Sequence, residues 1–230
     1  MDRTFAKVIR AAVEGDTRVL SRLLAARPDL ATRLLHEGAT RQRAEEFFVR
    51  DISHYLYAGD TALHAAAAAF QRPAARVLVE RGALCRARNR RGAEPLHYAA
   101  DANHWKPAAQ RETIEYLLSI GADPNAPDKS GVAPLHRAVR TRSSEAVSAL
   151  LAGGANPTLK NGSGSTPLHL AVQNTGRGGP GSARARNEQR TIIGLLLDAG
   201  AKPTDRDAKG KPVIDAASQD WIGTLLTGAG

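Results

Sequence analysis

Cysteine, methionine and aromatic side chains are nearly missing from this chain of 230 residues, which has one Cys, one Met and only ten Phe, Trp and Tyr together. The single cysteine, Cys85, excludes an internal disulfide framework and a cysteine-rich zinc module. With so few aromatics the core has to be aliphatic, and the abundance of Ala and Leu favours packed helices over a β-sandwich. No apolar run approaches the ~18 residues of a membrane span. Charges at Asp2, Arg3 and Lys7 stand where a signal peptide needs an apolar stretch. A soluble, cytoplasmic protein with no membrane partner is expected. Acidic residues are the minority charge, 23 Asp and Glu against 32 Lys and Arg, for a net charge of +9.

The strongest feature present is repetition, which has to be recognised before local structure is read. Gly-x-x-x-Leu-His occurs at Gly59–His64, Gly92–His97, Gly131–His136 and Gly164–His169, and a degenerate copy runs from Gly210 to Asp215. The steps between these glycines are 33, 39, 33 and 46 residues. A second mark, Gly-Ala after a leucine-rich segment, falls at Gly82, Gly121, Gly154 and Gly200, and each lies ten residues before the next copy. The variation is therefore confined to one place per unit, where copies two and four carry insertions of 6 and 13 residues.

Each unit reads as a pair of helices. Thr-Pro-Leu-His suits a helix start, because Thr can cap free N–H groups and Pro is tolerated in the first turn. Apolar spacing such as Ile114, Tyr116, Leu117 and Leu118 predicts a second helix. The following Gly supplies a left-handed stop. Turn-forming residues then lead into the next pair. A lone pair cannot bury its apolar face, so the units must stack.

Thr-Pro-Leu-His, Leu-Leu-x-x-Gly-Ala and the 33-residue period resemble the ankyrin repeat family over about residues 56–229. The copies depart from the pattern at Glu94, Ala133, Ala62 and Asp215. The resemblance implies an all-α solenoid of stacked helix-turn-helix units with short β-hairpin turns. Residues 1–55 then form N-terminal capping helices plus a helical insertion, with helix expected again from Ala31 to Val49. Residues 56–88, 89–127, 128–160, 161–206 and 207–230 form one continuous domain of repeats, the last a C-terminal cap.

Seven histidines invite a metal or catalytic hypothesis. His64, His97, His136 and His169 recur once per unit, and helix axes ~8–10 Å apart are too distant for them to share a metal bound at ~2 Å. The resemblance implies a structural role for these four, hydrogen bonding between neighbouring turns. No metal, cofactor or catalytic residue is expected. The segment Asp51–Asp60 concentrates Asp51, Ser53, His54, Tyr55 and Tyr57, the raw material for a small-molecule enzyme. It lacks a nucleophile elbow, and adjacent strand residues point to opposite faces, so Ser53 and His54 need not meet. The glycine-rich stretch 176–182 lacks the Lys-Ser/Thr ending of a P-loop and reads as a flexible loop.

The resemblance implies a non-catalytic interaction module. The resemblance implies partner binding by hairpin tips and first helices, which gives Tyr57, Asp60, Arg90, Arg91, Asp101, Lys129, Arg140, Ser165, Gln173, Asn174, Lys209 and Lys211, with Trp105 on the six-residue insertion. Arg outnumbers Lys 25 to 7, and guanidinium groups suit bidentate contacts with carboxylate or phosphate. An acidic protein surface is the expected partner of a monomeric chain, with nucleic acid as the alternative. The same Arg and Ala excess would follow from codon bias in a GC-rich bacterial genome.

Overall fold

The computed structural model describes residues 2–101, 106–173 and 182–228. The chain opens with α1 (Arg3–Glu14) and α2 (Thr17–Ala26). The Asp2 carboxylate accepts from the Thr4 N–H and that of Asp16 from the Val19 N–H, so each helix starts on a capped N-terminus. Further along, α3 (Ala62–Ala68) pairs with α4 (Arg72–Glu80), and α5 (Pro95–Ala100) with α6 (Pro107–Ser119). Next come α7 (Pro134–Arg140) with α8 (Ser144–Ala152), and α9 (Pro167–Ala171) with α10 (Ala183–Asp198). The final unit is reduced to a 3-10 turn, Val213–Ala216, and α11 (Asp220–Thr227).

The helices form two layers. One is the row α1, α3, α5, α7 and α9, each packed on the next; the other is α2, α4, α6, α8 and α10. Small side chains explain the tight inner row. All seven residues of α3 are buried and five of them are Ala, so neighbouring backbones approach closely on every side. The core is one continuous apolar cluster running from Phe5 to Leu226.

Two glycines show why the tips stack. Gly59 has φ of 88°, and a Cβ there would stand 2.7 Å from Asn89 Cα. Gly131 has φ of 70°, with its missing Cβ 2.5 Å from the Gly162 nitrogen. Only glycine combines the left-handed backbone with that approach.

The segment after α2 corrects the expectation of a helical insertion. A 3-10 turn ends at Ala31, and the chain then takes an irregular course to a second 3-10 turn at Glu45–Phe47. A small antiparallel hairpin follows, β1 (Phe48–Val49) with β2 (His54–Tyr55). The physical reason lies in the backbone. Leu35 and Ala39 donate N–H to the carbonyls of Asp60 and Leu56, and Gly59 donates back to Leu35, all at 2.7 Å. Groups spent on this ladder are not available to a helix. Apolar pairs also split, with Leu35 and Phe47 buried but Leu34 and Phe48 exposed, which is an alternation rather than a helical face.

Candidate functional site

The site is assembled from two hydrogen-bond registers. In the first, Asn89, Asp128, Asn161 and Asp207 occupy equivalent tip positions, and each Oδ1 accepts the N–H groups two and four residues on. Tip then binds tip: Arg90 N–H donates to the Ala58 carbonyl, Lys129 to Arg91 and Gly162 to Ser130, at 2.7–2.9 Å.

In the second register, the backbone N–H of Thr61, Glu94, Ala133 and Thr166 donates to Nδ1 of His64, His97, His136 and His169, respectively. With Nδ1 accepting, the proton sits on Nε2, which reaches the next unit's carbonyl at Ala93, Val132, Ser165 or Lys211 over 3.1–3.3 Å. Burial holds the His64 and His136 imidazoles below the ordinary histidine value. Burial together with the nearby Arg137 charge takes His97 down to about 4. With both ring nitrogens engaged, these imidazoles have no lone pair to offer a metal. Among the described residues no group of three or more His, Cys, Asp or Glu is placed to hold one.

These registers expose a concavity of about 480 Å³ between the second and third tips and helices α5 and α7. Its floor is polar and internally matched. Asp60 accepts from the Tyr98 hydroxyl at 2.7 Å and from Asn89 Nδ2 at 2.8 Å. Arg137 spans two carboxylates, Asp101 at 2.8 Å and Asp128 at 3.0 Å. Burial pushes the Asp101 carboxyl up, but His54 and the Arg137 charge bring it below its ordinary value. Burial likewise opposes ionisation of Asp128, and the Val132 N–H and Arg137 outweigh it. His54 closes the concavity from the hairpin side, its ring 4.5 Å from that of Tyr98 and its Nε2 3.6 Å from Asp101 Oδ2.

Around this floor stand cations without a carboxylate. Arg91 lies over the Tyr57 ring at 4.8 Å, and neither it nor Arg140 makes an ion pair among the described residues. By contrast, Arg86 and Arg88 close on the buried Glu94 at 3.5 and 3.0 Å, so part of the arginine cluster around the second tip is already neutralised.

One sequence-based placement needs correction. Asp60 is 1% exposed and cannot meet a partner, because Tyr98 and Asn89 enclose it. Arg90 is exposed, with one guanidinium N–H on the Ala39 carbonyl, which ties the second tip to the N-terminal segment, and its charge 5.6 Å from the Tyr57 ring centroid. Tyr57, Arg91, Asp101 and Arg140 converge on the concavity. Lys129 is exposed on the third tip, and Lys209 and Lys211 are exposed on the last tip, away from it. Ser165 and Gln173 are reached through their carbonyls, by His136 and by Arg142 with Gln189. Trp105 and Asn174 lie outside the described residues.

The enzyme hypothesis at residues 51–57 fares differently. Ser53 and His54 do line a concavity, but Asp51 lines a separate groove beside α1. His54 Nδ1 donates to the Tyr55 carbonyl at 2.7 Å and its Nε2 faces Asp101, which leaves Ser53 without a base. Sequence reasoning did not place Tyr98, Asp128 or Arg137 in the site. One signal was available: Ala65, Tyr98, Arg137 and Leu170 each follow the repeated histidine, and only two of these are polar.

The family model for ankyrin repeats (3 copies) matches residues 8–128 and 106–207. The chain belongs to the ankyrin repeat family. Among curated proteins it is similar to the E3 ubiquitin-protein ligase KEG of Arabidopsis thaliana, 34% identical over 144 residues. That match takes in 59% of this chain but 8% of the plant protein, so the chain spans a small fraction of its relative's length. Ankyrin repeats as a class mediate protein–protein interaction rather than catalysis. Among the described residues no helix is long and apolar enough to cross a membrane.

Proposed function

We propose that this ankyrin domain is a non-catalytic module that docks an acidic segment of another protein on the concave face of its second and third repeats. The carrying observation is the division of charge in the concavity. Its carboxylates, Asp101 and Asp128, are satisfied by Arg137, whereas Arg91 and Arg140 face the same space without a carboxylate. Guanidinium groups are well suited to bidentate carboxylate recognition. Arg91 is also held in place by Tyr57, which lowers the cost of ordering it on binding. Lys129 extends the positive surface along the third tip.

Nucleic-acid binding is the weaker reading. Arg86 and Arg88 are drawn into Glu94, which interrupts an arginine stripe, and base-stacking aromatics are few. A monomeric, cytoplasmic protein belongs to the proposal. Affinity capture from nuclease-treated host lysate, comparing the native chain with Arg91→Glu/Arg140→Glu, tests it. The native chain should retain an acidic protein that the double variant loses. Equal capture by both, or a signal abolished by nuclease alone, contradicts the assignment.

A further inference from the structure

Among the described residues four large apolar side chains are exposed: Leu34, Phe48, Tyr55 and Leu84. Two of them are cross-strand partners on the hairpin that no repeat unit specifies. Phe48 opposes Tyr55, their ring centroids are 4.8 Å apart, and they remain 38% and 39% exposed. Successive strand residues point to opposite faces. β2 therefore turns His54 inward onto Tyr98 and Tyr55 outward.

The pair is continuous with the cationic concavity. Tyr55 lines that concavity and also a neighbouring hollow of about 440 Å³, which it shares with Phe48, Glu45 and Arg50. Glu45 and Arg50 bring one charge of each sign, so this hollow does not select for a charged group. Its distinguishing property is the aromatic surface. Exposed aromatic residues beside arginines are the composition of binding hot spots.

We propose that the docked acidic segment carries one bulky apolar side chain next to its acidic residues, and that this side chain seats on the Phe48–Tyr55 pair while the acids meet Arg91 and Arg140. The proposal rests on the acidic docking reading and adds an anchor to it. The hairpin then acts as a specificity element, because a uniformly acidic surface would satisfy the arginines but leave the pair uncovered.

The test is fluorescence anisotropy on the full chain with three labelled peptides: six glutamates alone, and the same with a Phe at the N-terminal or the C-terminal end. One Phe peptide should bind about tenfold more tightly than plain hexaglutamate, the gain from burying one such side chain. In Phe48→Thr, which keeps a β-favouring residue outside the concavity, that gain should fall sharply while plain hexaglutamate binds as before. Phe48→Val provides the same comparison if Phe48→Thr does not fold. Equal affinities of the three peptides for the native chain overturn the anchor, as does a gain that survives in a folded variant. Binding that persists undiminished in Arg91→Glu/Arg140→Glu, or no binding by any peptide, overturns the acidic reading beneath it.

Discussion

The regular repeats and the segment between Thr32 and Ala58 reach their structures by different routes. In the repeats, each unit carries its own instructions: a helix start, a histidine bonded within its own turn, and a glycine tip. The histidine's second nitrogen then fastens one unit to the next. The N-terminal segment has no such local code. Its shape comes from bonds to the first tip, from Leu35 to Asp60 and from Ala39 to Leu56, and from Arg90 reaching back to Ala39. The difference teaches that the scaffold is specified locally and the wall of its concavity non-locally.

The contrast can be broken most severely at His97. His97→Ala removes a fully buried ring with bonds to Glu94 N–H and the Val132 carbonyl. Loss of two buried bonds plus a cavity should cost about 4 kcal/mol, read as a lower urea midpoint. Arg137→Met should come next. It leaves Asp101 and Asp128 without their cation and should cost about 3 kcal/mol by the same measurement.

Acid should weaken the repeats in the same way. His97 is pushed from its ordinary value of 6.5 to about 4 in the folded chain. Between these pH values the unfolded chain binds the proton and the folded chain does not. Stability is therefore intact above pH 6.5 and falls as pH drops towards 4, by up to about 3 kcal/mol for this group. His64 and His136, shifted in the same direction, add to the loss. Denaturant melts at stepped pH should show it, and a flat profile across this window would mean that the imidazoles are not buried and neutral.

A smaller, local effect is expected at Gly38, where an added Cβ would collide with the Tyr57–Ala58 backbone. Gly38→Ala should cost about 2 kcal/mol. Hydrogen exchange should quicken at Leu35, Ala39 and Gly59 and stay unchanged at His136 and His169. Uniform acceleration would show that the two regions are one cooperative unit. Smallest of all, Arg91→Ala and Arg140→Ala should each shift stability by less than about 0.5 kcal/mol, because neither makes an ion pair among the described residues.

Much of the fold was legible because its cues repeat in register. The glycine spacing located the tips of the repeats, and the Leu-His pairs four residues on located helices α3, α5, α7 and α9. Residues 31–49 were misread because Leu34-Leu35 and Phe47-Phe48 look like helical anchors when only neighbours in sequence are weighed. Their partners are distant, and the ladder to Leu56 and Asp60 is a tertiary choice. The candidate site was half legible. Arg91, Arg140 and Tyr57 follow from tip and helix positions. Asp60 was misplaced because its carboxylate is claimed by Tyr98, 38 residues away.

The most direct test of the central claim, that Arg91 and Arg140 form an acceptor for acidic chains, is calorimetric titration of hexaglutamate into the native protein and into Arg91→Glu/Arg140→Glu at one fixed salt concentration. The account predicts measurable binding to the native chain and none to the double variant, with both melting at the same temperature. Equal affinity in two equally stable proteins would contradict it.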